Sequence, residues 1–106
     1  MQPGRPRLIV ALVVSCAMAV PAEAATIQIV MQNLGFSPAG ASAKVGDTIE
    51  WTNKDFVAHT ATARNGDFDV MLPPNKAVSV VLKKDGAVDY YCRFHPNMKA
   101  ALRIEP

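Results

Sequence analysis

The chain has little cysteine and little histidine, two of each in 106 residues, and its aromatics are one tryptophan, two tyrosines and four phenylalanines. Its charges nearly cancel, with eleven basic and nine acidic residues. That balance excludes the basic stripe needed to bind nucleic acid or an anionic membrane surface. Internal repeats, low-complexity tracts and linkers are missing, and no stretch past the N-terminus holds a convincing helical period. The length allows a single domain.

The N-terminus does not belong to that domain. "MQPGRPR" carries Arg5 and Arg7 and no acid, and "LIVALVVSCAMAV" (8–20) is uncharged and apolar. "PAEAA" follows, with Ala22 and Ala24 in an A-x-A arrangement. A basic head, an apolar run short for a bilayer and a small-residue site describe a secretory signal peptide, residues 1–24, cleaved after Ala24. An uncleaved anchor is the alternative. A lipidated Cys16 is another, although the apolar run continues past that cysteine. Losing Arg5, Arg7 and Glu23 leaves nine basic and eight acidic residues, a net charge of about +1. Cys16 goes too, so Cys92 is the sole thiol of an exported domain of 82 residues, 25–106. No internal disulfide can form. In an oxidising compartment such a thiol is exposed to oxidation unless it is buried or bound, and a bound metal would also help a small core to fold.

The remaining pattern is that of strands. "TIQIVM" (26–31), "DTIEWTN" (47–53), "AVSVVLK" (77–83), "AVDYYC" (87–92) and "AALRI" (100–104) alternate or are rich in β-branched residues, and "HTATA" (59–63) is short and threonine-rich. "NLGFSPAG", "VGD", "NGD", "LPPN" and "KDGA" supply turn chemistry between them. An antiparallel β-sandwich follows.

"YYCRFHPNM" (90–98) places Cys92, His95 and Met98 at spacings of three, on what reads as a loop between the last two strands. His59 opens a strand some thirty residues earlier, and at the rim of a sandwich the two segments can converge. Thiolate and thioether suit a soft metal, and imidazole suits copper or zinc. Structural zinc prefers four Cys/His ligands, whereas only three such groups exist here. Two His and one Cys with a weak axial Met form the blue-copper arrangement. Met98 as a core residue, Cys92 as an inert buried thiol and a Cys–His nucleophile pair stand beside it. The last has no evident orienting group and little room for a substrate cleft.

"YYCRFHPNM", with "FSPAGASAKVGDTIEWTN" and "DFVAHTAT" upstream, resembles the cupredoxins of the plastocyanin/azurin type across residues 25–106. The C-x2-H-x2-M spacing is similar to the short ligand loop of amicyanins. The resemblance implies a Greek-key sandwich of about seven to eight strands. It implies one mononuclear type 1 copper held by His59, Cys92, His95 and Met98. Phe36, Gly46, Asp47, Trp51 and Asn53 fall on its framework pattern. Thr60 departs from it, because plastocyanins and amicyanins usually have there an Asn that ties the two ligand loops together.

The implied function is electron transfer in the periplasm, by a monomer that is not an enzyme. Electrons would pass at His95, whose ring edge reaches the surface in this family. Redox partner proteins, such as a periplasmic dehydrogenase and a c-type cytochrome, would dock on an apolar patch of Phe94, Pro96, Met71 and Pro73 or Pro74. Two rival readings share the fold: a periplasmic copper chaperone or buffer, and a fragment of a copper nitrite reductase, which would need a second metal site.

Overall fold

The computed structural model describes residues 3–6, 10–13 and 23–106. Most of the expected signal peptide, residues 14–22 included, lies outside the described residues. Nine strands follow in the domain: β1 Thr26–Gln32, β2 Gly35–Ser37, β3 Gly40–Lys44, β4 Thr48–Asn53, β5 His59–Ala63, β6 Asp69–Leu72, β7 Ala77–Val81, β8 Gly86–Cys92 and β9 His95–Glu105. They form two sheets, β2-β1-β4-β7 and β3-β9-β8-β5-β6.

The expected sandwich is present, with two differences. β1 runs parallel to β4, and β3 runs parallel to β9, so both sheets are mixed. The strand count is nine because β2 sits in a segment that reads as a turn, while β3 and β6 lie in stretches with no assigned strand. Their backbones are recruited by neighbours already in place: Phe36 opposite Met31, Ala43 opposite Ile104 and Leu72 opposite His59. Strands this short hold too few side chains to show a period.

Alternation puts the apolar residues inside. Ile29, Met31, Ile49 and Trp51 from the first sheet are fully buried against Leu72, Tyr90, Cys92 and Leu102 from the second. The framework residue Phe36 packs edge-on to Tyr90, with ring centroids 4.7 Å apart. Trp51 meets the same ring at 5.7 Å. Trp51 Nε1 and the Tyr90 hydroxyl are buried without a partner among the described residues, and burial pushes the Tyr90 phenol up to about 12.

Gly46 and Asp47 form the turn before β4. Gly46 has φ +95°, a conformation that glycine tolerates at no steric cost. Asp47 is buried, its Oδ1 accepting from Ala25 N–H and its Oδ2 from Lys44 N–H, both at 2.8 Å. Those amides hold its carboxyl below the usual carboxylate range. Ala25 is thereby fixed at the edge of the domain, its carbonyl also accepting from Thr48 N–H at 2.9 Å.

Candidate metal centre

Three elements meet at one end of the second sheet. β8 ends on Cys92 and β9 begins on His95, which pair across the two-residue turn Arg93–Phe94. The expected ligand loop is therefore a tight hairpin, with Met98 already inside β9. The reason is the register of β9, whose backbone pairing with β8 is taken up again immediately after the turn, with one irregularity between Tyr91 and Cys92. β5 delivers His59 alongside. Cys92 and His59 are fully buried, Met98 is 2% exposed and belongs to the same core cluster as Cys92, and His95 is half-buried.

Cys92 Sγ lies 3.7 Å from His59 Nδ1 and 3.6 Å from His95 Nδ1. All three donor atoms lie within 4.8 Å of one another. Metal–sulfur bonds of about 2.3 Å and metal–nitrogen bonds of about 2.0 Å, spread by tetrahedral to trigonal angles, separate S from N by about 3.5–3.8 Å. The observed spacings match that separation, so the three donors fit one ion placed between them. The imidazole rings stand nearly perpendicular, at 72° with centroids 5.1 Å apart, and both turn Nδ1 toward the sulfur.

The surrounding bonds fix these donors. Thr60 N–H donates to Cys92 Sγ at 3.4 Å, which ties the sulfur to β5. His59 Nε2 lies 2.7 Å from Asp55 Oδ2. With Nδ1 free to ligate, Nε2 carries the proton and donates it, so Asp55 fixes both the tautomer and the tilt of the ring. Burial pushes the Asp55 carboxyl up, but the bonds from His59 and from the Leu34 and Asn33 amides outweigh it and hold the group below its usual range.

Asp55 is the functional residue that sequence reasoning missed, although a carboxylate four residues before a candidate His ligand is a usable signal. It does a second job. Its oxygens accept from Asn33 N–H at 2.8 Å and Leu34 N–H at 3.0 Å. Those residues form the β1–β2 turn, and both have positive φ, 53° and 57°. Asn53, expected to lead into the His59 loop, is buried and shapes it. Its Nδ2 donates to the carbonyls of Val57 and Leu72, and its Oδ1 accepts from Asp55 N–H at 2.9 Å.

Apolar side chains are exposed beside the site, with the Arg93 guanidinium set over the Phe94 ring. Phe94 and Met71 are 47% and 52% exposed, which removes Met71 from the core, and Pro96 and Pro73 are also exposed. The β4–β5 loop adds Phe56, 96% exposed, with Val57, and the turn held by Asp55 adds Leu34. Phe56 gave no sequence signal, because a lone aromatic in a loop belongs to no period.

Comparison with known proteins agrees with this geometry. The chain is 29% identical over 90 residues to amicyanin-alpha of Methylorubrum extorquens, covering 79% of this chain and 76% of that protein. The purple cupredoxin from Nitrosopumilus maritimus superposes with a TM-score of 0.67 at 28% identity, over 74% of this chain and 99% of that one. A Cu-containing nitrite reductase from Thermus scotoductus shares the fold over 76% of this chain but only 22% of its own, with TM-score 0.68 and 23% identity. The family model of the cupredoxin-like domain matches residues 7–104, and the chain belongs to that family.

Proposed function

We propose that this chain is a periplasmic electron carrier, in which His59 Nδ1, Cys92 Sγ, His95 Nδ1 and the Met98 thioether would hold one copper ion. The observation that carries this reading is the 3.6–3.7 Å spacing of two imidazole nitrogens around a fully buried thiol. Copper bound there would supply a one-electron Cu(I)/Cu(II) couple, with thiolate and thioether favouring Cu(I).

The chain's own residues do the rest. Asp55 and Thr60 hold His59 and Cys92 in place, so little rearrangement accompanies a change of charge between the ligands. Burial of His59, Cys92 and Met98 keeps water away, while His95 is the candidate ligand that solvent partly reaches. Phe94, Pro96, Phe56 and Val57 offer redox partners a weakly charged apolar surface near His95. Small contacts of that kind suit encounters that must end quickly. A dehydrogenase as donor and a c-type cytochrome as acceptor fit the amicyanin-like site. The protein acts as a monomer and catalyses no reaction itself, since both of its histidines are committed to one site.

Residues 1–24 are read as a cleaved signal peptide that delivers the domain to the periplasm. Among the described residues no helix is long and apolar enough to cross a membrane. A copper buffer would need an open site for exchange, and the closed thiol favours the carrier.

The test is to prepare the chain from Ala25 onward, add one equivalent of Cu(II) and record the visible spectrum. An intense blue band is expected, lost on reduction and in Cys92→Ala. A colourless adduct would overturn the assignment of Cys92 as a copper ligand. A blue site that fails to cycle reversibly would replace the carrier with the buffer.

A further inference from the structure

Thr60, at the position where amicyanins and plastocyanins usually have Asn, is fully buried, so its hydroxyl must be satisfied inside the protein. Thr60 Oγ1 accepts Arg93 N–H at 2.8 Å and lies 2.9 Å from Thr62 Oγ1. Thr62 Oγ1 in turn donates to Asp69 Oδ1 at 2.8 Å. An ionised carboxylate only accepts, so the single Thr62 proton is committed to Asp69. The contact between the threonines then has one polarity: Thr60 donates and Thr62 accepts. Reversed, the Thr60 proton would find no other bonded acceptor in a buried site. Asp69 Oδ1 also accepts from Arg93 Nε at 3.2 Å, which closes a ring through β5, β6 and the Cys92–His95 turn.

We propose that Asp69 is a positioning residue for the ligand hairpin, ordering the Thr62 and Thr60 hydroxyls so that Thr60 receives the Arg93 amide. A carboxylate and two hydroxyls thus do across two strands what one Asn amide would do alone. Thr60 is the pivot, because its own N–H reaches Cys92 Sγ while its hydroxyl holds the residue after that cysteine. The carboxylate end is well suited to anchor the chain: the Thr62 bond, ahead of the Arg93 contact, holds Asp69 below the usual carboxylate range, and bonds to an ionised group are stronger and polarise their neighbours. The redox consequence rests on the copper reading above; the positioning itself does not.

The test compares Thr62→Val and Asp69→Ala in the natural chain and in a Thr60→Asn background. Thr62→Val leaves the Arg93–Asp69 contact intact and isolates the hydroxyl chain. The first readout is amide hydrogen exchange in the metal-free protein. Exchange at Arg93 N–H is expected to rise about fivefold to tenfold in both variants, as for loss of one buried hydrogen bond, with amides of β1 and β4 unchanged. The second is the reduction potential of the copper-loaded protein, which is expected to move in the same variants. In the Thr60→Asn background both readouts should stay still, because the Asn carbonyl takes the amide without help. Unchanged Arg93 exchange in Asp69→Ala would overturn the proposal. So would a uniform rise across both sheets, or full effects in the Thr60→Asn background. If no blue copper site forms, the copper reading fails while the exchange measurement still decides this one.

Discussion

Individual side chains at the site are held by groups of a different kind from the ligands themselves. Asp55 illustrates this, since its carboxylate is bonded to a ligand ring on one side and to a strained turn on the other. Removing a partner that orients a ligand typically costs about 10–100-fold in metal affinity. Asp55→Ala is expected to weaken copper retention by roughly that factor, read by competition with a chelator of known affinity. Tyr90 makes the opposite case. Its hydroxyl is buried with no well-formed hydrogen bond among the described residues, only a contact with Trp51, and a polar group left so destabilises its site by about 1–3 kcal/mol. Tyr90→Phe should therefore leave stability unchanged or raise it by up to about 1 kcal/mol, checked by urea unfolding. Cys92, His95 and Met98 stand out in the sequence by their compact spacing, and His59 because it is the other histidine of the domain. Asp55 has only its place four residues before His59 to mark it, and Thr62 and Asp69 have nothing, because acids and threonines are common and tertiary placement separates these from the rest.

Strands with a long alternating pattern were legible, and strands defined only by their partners were not. β1, β4, β7 and β8 carry enough β-branched residues to show a period of two. β2 has three residues and is a strand only because β1 bonds to it. β9 was read from Ala100 but begins at His95, because "HPNMK" has no regular period while its backbone keeps pairing with β8. β5 is buried on both faces, which its alternating threonines did not suggest. The turn between β1 and β2 is two residues long with positive φ at both, the hairpin type that normally demands Asn and Gly. Leu34 occupies the second position at φ 57° while half-exposed. A left-handed conformation costs an ordinary residue about 1–2 kcal/mol. Leu34→Gly is expected to stabilise the domain by about 1 kcal/mol, measured as a rise in thermal midpoint. A loss of stability would show that Leu34 packing outweighs the strain.

For the whole molecule, the sandwich class followed from pattern, while its parallel pairs did not. Whether β1 lies beside β4, or β3 beside β9, depends on how connections cross the ends of the sheets, and no local residue choice records that. Stability against acid is also a property of the whole fold. Asp47 is held below the usual carboxylate range by the Ala25 and Lys44 amides. A carboxyl depressed on folding adds stability above its unfolded value of about 3.9, and that stability is lost as pH falls through the lower folded value. The urea midpoint should fall below about pH 4, and Asp47→Asn should flatten that part of the profile while lowering stability at neutral pH.

The Ala25–Asp47 bond has a consequence for maturation. Under the proposed cleavage after Ala24, the group facing Asp47 Oδ1 beforehand is a neutral peptide amide. After it, the same nitrogen is an ammonium ion, and the contact becomes an ion pair at the domain's first residue. Trimming the leader would thus add a lock that the precursor cannot make. A chain beginning at Ala25 should melt higher than one that retains even two leader residues, and the gap should close in Asp47→Asn. If the proposed signal peptide is removed there, release of the leader and final tightening of the first strand are one chemical event.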